Sequence, residues 1–272
     1  MCRESFDFPY SVRIKKIKQE TPLVRSYVLD FPLRAKPGQF LFVWLPGVEE
    51  KPMSIAFDDS KQYTLAIAAV GPMTCELAKI KVGDYLGIRG PYGTHFEWKP
   101  GERIAMLAGG YGAGPLFFAS NLASKQKCKV DFFMGARSKD HLLFGNRIKK
   151  LKNVRYLPST NDGSAGFKGF NVQLWEQEMA KGVKYDHVFT CGPEMMMKAV
   201  SDIAWKKKIN AQIIVERYMK CGFGVCGNCC LDDSGVATCQ KGTVMNNKDV
   251  RKIKEFGIYH RDNLGKKHYF KA

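Results

Sequence analysis

No stretch of this 272-residue sequence is apolar for long enough to cross a bilayer as a helix, so no membrane partner is expected. The first residues, Met1-Cys-Arg-Glu-Ser-Phe-Asp, lack an apolar core, so no secretory leader is expected either. Acidic residues are few: 26 Asp and Glu against 43 Lys and Arg leave a net charge of +17. That balance suits a solvated lysine-rich surface first and attraction to an acidic protein second. The basic residues are scattered and not interleaved with aromatics, so no nucleic acid is expected as a partner. There is no Ser-His-Asp or paired-carboxylate arrangement, which removes the usual side-chain routes to acyl transfer and glycoside hydrolysis. His141, His187 and His260 show no ligand spacing, and Met195 to Met197 read as helix packing. Redox chemistry supplied by a bound cofactor is the remaining expectation.

Cysteine, by contrast, is plentiful. There are nine, an odd count, and four fall in one motif, which points to a reducing cytoplasm and not to a disulfide scaffold. Cys221, Cys226 and Cys229 are spaced C-x4-C-x2-C, with Cys239 following. This is the ligand spacing of a plant-type 2Fe-2S cluster. The glycines between them let the backbone curl and aim N–H groups at sulfur. A structural zinc or disulfides are the competing readings, although zinc ribbons use two separated C-x2-C knuckles. Cys230 adjoins Cys229, and adjacent side chains point apart, so Cys229 is taken as the ligand.

From Ser11 to Trp44 polar and apolar residues alternate, with turn signals at Thr21-Pro22 and Lys36-Pro37-Gly38. Short punctuated strands of this kind predict an antiparallel barrel or sandwich. Further strands are expected at Gln39–Leu45, Tyr63–Val70 and Val82–Arg89, the last ending in a tight turn at Gly90-Pro91-Tyr92-Gly93. After Gly71-Pro72-Met73 a short helix is expected over Cys75 to Lys79. Thr74 would cap it and leave free amides for an anion such as pyrophosphate.

Beyond Pro100-Gly101 the pattern becomes strand then helix. Arg103–Ala108 is an apolar run typical of a buried parallel strand; it enters Gly109-Gly-Tyr-Gly-Ala-Gly114-Pro115, and a helix follows. Strands are expected at Lys129–Gly135, Val154–Pro158 and His187–Cys191. Helices are expected over His141–Leu151, Val172–Met179 and from Glu194. The alternation predicts a parallel sheet with helices on both faces and ligands at the carboxyl ends of its strands. Gly109 to Gly114, Thr160 and Cys191 to Pro193 fall there. The loop is not the G-x-G-x-x-G fingerprint and has no acidic ribose partner at the usual spacing, which leaves NAD and NADP both open.

With these parts in order, the chain resembles the electron-transfer subunit of class 1B dihydroorotate dehydrogenases, within the ferredoxin–NADP reductase superfamily. The likeness runs from about Phe8 to Val244. It implies an FAD-binding β-barrel (1–100), a Rossmann-like NAD(P)-binding α/β domain (101–210) and a 2Fe-2S-binding C-terminal segment (211–272). The family's R-P-x-S segment along the flavin corresponds to Lys51-Pro52-Met53-Ser54, with Lys in place of Arg. A lysine keeps the charge and loses the bidentate phosphate fork. The next flavin contacts correspond to Ala66-Ile67-Ala68 and Gly71-Pro72-Met73-Thr74, where Met73 replaces a glycine. The G-P-x-G turn corresponds to Gly90, Tyr92 and Gly93. The nicotinamide-cofactor loop corresponds to Gly109, Gly110, Gly112 and Gly114. The T-D-D-G-S loop appears as Thr160-Asn161-Asp162-Gly163-Ser164, and C-G-P-x-x-M as Cys191-Gly192-Pro193-Glu194-Met195-Met196. The E-x-x-M-x-C-G-x-G-x-C-x-x-C segment spans Glu216 to Cys229.

The resemblance implies an oxidoreductase subunit in which NAD(P)H reduces FAD, with Ser54 beside the flavin. The 2Fe-2S cluster relays single electrons between FAD and the FMN of a separate catalytic subunit, where dihydroorotate becomes orotate. The implied assembly is a cytoplasmic hetero-oligomer with two copies of each subunit. The same architecture also serves hydrogenase, sulfide dehydrogenase and ferredoxin:NADP oxidoreductase subunits, which changes the partner and not the cofactors. A basic zinc-binding interaction module is the reading from another class.

Overall fold

The computed structural model describes residues 8–270. Residues 1–7, on which the expectation of no secretory leader rests, lie outside them. The N-terminal part is a closed antiparallel barrel of β1 (Tyr10–Gln19), β2 (Val24–Leu29), β3 (Phe40–Leu45), β4 (Glu49–Asp58), β5 (Tyr63–Ala68) and β6 (Tyr85–Tyr92), in the order β1-β2-β5-β4-β3-β6. Alternation does the sorting. In β1, Val12 and Ile14 enter the barrel core while Arg13 stays out. In β3 both faces are buried: Leu41 and Val43 fill the barrel, whereas Phe40 and Phe42 turn outward to Met219, Cys229 and Cys239. That second contact is why Gln39–Leu45 reads as an unbroken apolar run.

The second part is a seven-stranded sheet in the order β10-β9-β8-β7-β11-β12-β13. Its strands are β7 (Arg103–Gly109), β8 (Lys129–Ala136), β9 (Val154–Thr160), β10 (Phe167–Lys168), β11 (His187–Cys191), β12 (Asn210–Ile214) and β13 (Val244–Asn246). The helices, including α1 (Pro72–Leu77) against the barrel, are α2 (Ala113–Lys125), α3 (Gly145–Ile148), α4 (Asn171–Ala180), α5 (Glu194–Lys207), α6 (Thr238–Lys241) and α7 (Asn247–Val250). Residues of α2 and α3 pack on one face of the sheet and those of α4, α5 and α7 on the other. Both faces are therefore covered, and β7 is buried along nearly its whole length.

Several expectations need correction. Gly90 to Tyr92 continue β6 as strand and do not form a tight turn. The helix expected over His141–Leu151 shrinks to α3, because Phe144 at its start takes a left-handed backbone (φ 58°). The helix expected from Cys75 is α1, starting at Pro72. Its N-cap is Gly71, and Thr74 is its third residue, reaching back to accept from the N–H groups of Val70 and Gly71 at 3.1 and 3.0 Å. The sheet is not wholly parallel: β13 pairs antiparallel with β12. The cysteine segment is thus an excursion that leaves the sheet after β12, lies against the barrel and returns as β13. A C-terminal hairpin, β14 (Tyr259–Arg261) with β15 (Lys267–Tyr269), gave no sequence signal.

Candidate functional site

On the barrel, the segment Lys51 to Ser54 lies in β4, between β5 and β3. Lys51 pairs with Glu49 at 2.6 Å and sits 4.9 Å from the ring of Tyr218, just before the cysteines. Burial pulls its ammonium down, but Glu49 and Tyr218 outweigh that, and the net shift is upward. Pro52, Met53 and Ser54 are half-buried, and among the described residues the Ser54 hydroxyl makes no hydrogen bond. Ile67 and Ala68 are buried in β5 beside half-buried Ala66. Met73 sends its side chain into the barrel core, so only its backbone is free to meet a ligand. Thr74 spends its hydroxyl within its own turn, donating to Gly71 O at 3.1 Å. Tyr92, with Gly90 and Gly93 either side, turns toward the cysteine segment. Its ring lies 5.8 Å from that of Phe40, and Thr94 N donates to Gly242 O at 2.7 Å just beyond.

On the sheet, the ends of β7 and β11 are neighbours, Ala108 pairing with Cys191. A Cβ on Gly109 would lie 2.5 Å from Pro193, and one on Gly112 would overlap the Cys191 carbonyl. A Cβ on Gly192 would lie 2.8 Å from the backbone of Gly109. Gly109, Gly112, Cys191, Gly192 and Pro193 are therefore one close-packed junction in which bare backbone is required. Gly110 (φ 54°) stands in open space, and Gly114 approaches Ala56 and Ala66 of the barrel. Thr160 belongs to a different part of the edge, two strands away. Its buried hydroxyl accepts from Ala165 N at 3.0 Å and so holds the 160–166 loop.

Two residues of this junction escaped the sequence reading. Tyr111 is half exposed in the glycine loop. Glu216, which follows β12 after Val215, is open to solvent at its surface but ringed by protein. That burial raises its carboxyl, the like charge of Glu194 adds to the shift, and Arg217 opposes it, leaving it at about 7. Both Glu216 and Cys191 act electrostatically on Tyr111. Glu216 opens the cysteine motif, but spacing alone gave no sign that it faces the nicotinamide loop.

The cysteines stand as two pairs. Cys226 N donates to Cys221 Sγ at 3.5 Å, and Cys239 N to Cys229 Sγ at 3.4 Å. Gly222 and Gly224 adopt φ of 88° and 84°, the left-handed turns the curl requires. Burial pulls the Cys221 thiol up, but N–H groups of Cys226, Phe223 and Val225 and the Cys226 thiol outweigh it, holding it down at about 6. Cys239 is raised by burial and by Cys229. Cys230 pairs by its backbone with Ala237 and enters neither N–H···S bond, although burial first and then Cys229, Cys226 and Cys221 raise its thiol. Among the described residues, no three His, Cys, Asp or Glu side chains converge on a single-ion site. Two thiol couples with amide donors fit a two-iron cluster, in which each iron takes two thiolates.

A barrel joined to a nucleotide-type sheet is shared with solved reductases. A structure of an NADH-dependent reduced ferredoxin-NADP oxidoreductase superposes with a TM-score of 0.80 at 24% identity, covering 90% of this chain and 92% of that one. The FAD/NAD-binding domain of nitric oxide dioxygenase from Vibrio cholerae gives 0.64 at 20% identity, covering 75% and 97%. Residues 106–202 match the oxidoreductase NAD-binding domain, and residues 216–251 match the iron-sulfur cluster binding domain of dihydroorotate dehydrogenase B. The class is therefore an oxidoreductase with an electron-carrying role. A protein of Methanocaldococcus jannaschii named "Probable dihydroorotate dehydrogenase B (NAD(+)), electron transfer subunit" is 44% identical, over 96% of this chain and 99% of that one. A protein of the same name from Methanothermobacter thermautotrophicus is 38% identical, over 97% and 98%. The chain belongs to the family of dihydroorotate dehydrogenase B electron-transfer subunits.

Proposed function

We propose that this chain passes electrons singly between an FMN-containing dihydroorotate dehydrogenase catalytic subunit and a nicotinamide cofactor, with FAD on the barrel and a 2Fe-2S cluster in the cysteine segment; oxidation of dihydroorotate at the FMN would send them toward NAD(P)+, and NAD(P)H would drive the same path in reverse. The observation that carries this reading is the seating of the Cys229–Cys239 couple on Phe40 and Phe42 of β3, one strand from Ser54 in β4, with the Cys221 carbonyl held by Arg89 of β6. When bound, a flavin supplies hydride acceptance and a two-iron cluster supplies one-electron passage. The chain's own residues do the holding. Ser54 offers its hydroxyl to the edge of a flavin ring. The backbone of Ala66 to Ala68 and of Gly71 to Thr74 lines the barrel side, and Gly90, Tyr92 and Gly93 close it near the cysteines. Lys51, already committed to Glu49 and Tyr218, steadies the segment before Cys221 more than it grips a phosphate. Gly109, Gly110, Gly112 and Gly114, with Cys191, Gly192 and Pro193, leave bare backbone for a nicotinamide nucleotide, and Thr160 shapes the outer loop. Cys221, Cys226, Cys229 and Cys239 hold the cluster.

On this reading the working units are 1–100, 101–210 and 211–272, and the assembly has two copies of each subunit. All eight described cysteines are free thiols, which supports a reducing cytoplasm. No helix among the described residues is long and apolar enough to cross a membrane. The test is anaerobic copurification with the neighbouring catalytic subunit, followed by dihydroorotate-dependent reduction of NAD. A sample without flavin absorbance or iron overturns the cofactor assignment. A hydrogenase, sulfide dehydrogenase or ferredoxin-dependent partner in place of the FMN subunit overturns the partner.

A further inference from the structure

Arg89 lies buried in β6, on the barrel face that meets the cysteine segment. Its guanidinium donates from Nε to Glu50 Oε1 at 2.6 Å and from Nη2 to Glu50 Oε2 at 2.7 Å. Nη2 also donates to the Lys220 carbonyl at 2.9 Å, and Nη1 to the Cys221 carbonyl and to Tyr92 Oη. Every N–H of the fork is thus used. The guanidinium carbon lies 4.1 Å from the ring centroid of Phe42. The next residue, Gly222, is pressed against the same rings: a Cβ there would come within 2.6 Å of Phe42 and 3.2 Å of Tyr92.

The other end of the cysteine segment is fixed to the barrel independently, by Thr94 N to Gly242 O and by Thr243 Oγ1 to Gly38 O. At the Cys221 end, among the described residues, no other barrel side chain hydrogen-bonds Lys220 or Cys221. Residues 223–228 beyond it are all exposed. Glu50 balances the buried charge, and it stands one residue before Lys51 in β4. Arg89 therefore ties the strand assigned to the flavin and the first cysteine to a single planar group.

The geometry points to Arg89 as a positioning residue: it sets the separation and orientation of the Cys221 end of the cluster site relative to β4, and so governs how fast electrons cross between them. This rests on the function proposed above. A lysine cannot replace it, because one ammonium cannot reach two carbonyls and a carboxylate in one plane.

The test uses the full chain, prepared anaerobically, as wild type, Arg89→Met and Arg89→Lys. In Arg89→Met, amides in peptides covering 218–224 exchange about tenfold faster or more, while those of β1 and β2 keep their protection. After mixing with NADH, the flavin bleaches at the wild-type rate in the same sample. The reduced-cluster signal grows about tenfold to a hundredfold more slowly, as a misplacement of order 1 Å produces. Arg89→Lys falls between the two. A general loss of packing would instead slow both signals and unprotect the whole barrel, which overturns the proposal. Unchanged exchange at 218–224 with an unchanged cluster signal also overturns it. If Arg89→Met does not fold, Arg89→Lys decides by the same two readouts. If wild type carries neither flavin nor cluster, the proposed function falls, and exchange in the metal-free chain still decides whether Arg89 pins Cys221.

Discussion

Ser54 lies directly opposite Phe40 in the β3–β4 ladder, and the Phe40 ring packs among Cys229, Cys239 and Met219. One cross-strand pair therefore spans the distance between the proposed flavin edge and the thiols. Because the Ser54 hydroxyl makes no hydrogen bond among the described residues, Ser54→Ala should cost little stability, within about 0.5 kcal/mol. Loss of a hydrogen bond to a group that gains charge is worth about 1.5–3 kcal/mol. NADH-dependent bleaching of the flavin should therefore slow about tenfold to about a hundredfold. Stopped-flow absorbance with matched denaturation curves checks both. Equal rates in the two proteins would remove Ser54 from the site.

Glu216 should impose a pH dependence. Its carboxyl moves from an ordinary 4.5 to about 7, through burial first and Glu194 second. A raised carboxyl means the folded chain favours the protonated form. The associated stability is complete below the unfolded value and is lost as pH rises through the folded one. Wild type should therefore lose stability relative to Glu216→Gln between about pH 4.5 and pH 7. The side chain is open to solvent, so screening keeps the effect small. Urea midpoints measured across that range should converge at the acid end and separate toward neutrality; parallel curves would refute the shift.

Much of this was legible in the sequence because the signals were local. Alternation in Ser11–Trp44 announced the barrel, and the apolar run at Arg103–Ala108 announced a strand covered on both faces. The C-x4-C-x2-C spacing needed no tertiary information. What was missed depends on contacts between distant segments. Nothing local marks Arg89 as the partner of Lys220 and Cys221, more than a hundred residues away. Glu216 acts electrostatically on Tyr111 only because β12 and the glycine loop end at the same edge of the sheet. Met73 is placed beside the flavin by its position in a motif, and the motif does not tell that its side chain lies in the core, which leaves its backbone for that role. The helix expected over His141–Leu151 failed at one residue, Phe144, whose left-handed backbone no propensity reports.

Cys230 and Cys239 should behave in opposite ways. Cys230 is tied by backbone to Ala237 and enters neither N–H···S bond, whereas Cys239 is paired with Cys229. Cys230→Ser should keep the wild-type iron and acid-labile sulfide, about two of each per chain. Cys239→Ser should lose most of both. Iron and sulfide analysis, with the visible spectrum, decides the matter. Equal loss in both variants would mean that Cys230 takes part in the site.

Arg217 joins the nicotinamide side to the cysteine side through nearly buried ion pairs, 3.0 Å to Glu194 at the start of α5 and 3.7 Å to Glu255. Glu255 in turn accepts from Asp232 N at 3.1 Å, two residues past Cys230. Removing the cation leaves two carboxylates buried without their partner, and breaking such a pair costs about 3–5 kcal/mol. Arg217→Met should lose stability in that range by chemical denaturation. Glu194→Gln in the Arg217→Met background should restore part of it, since one uncompensated charge is gone. A double-mutant cycle reads this directly. Full additivity, with no recovery in the double variant, would mean that the pair contributes only packing and not electrostatics.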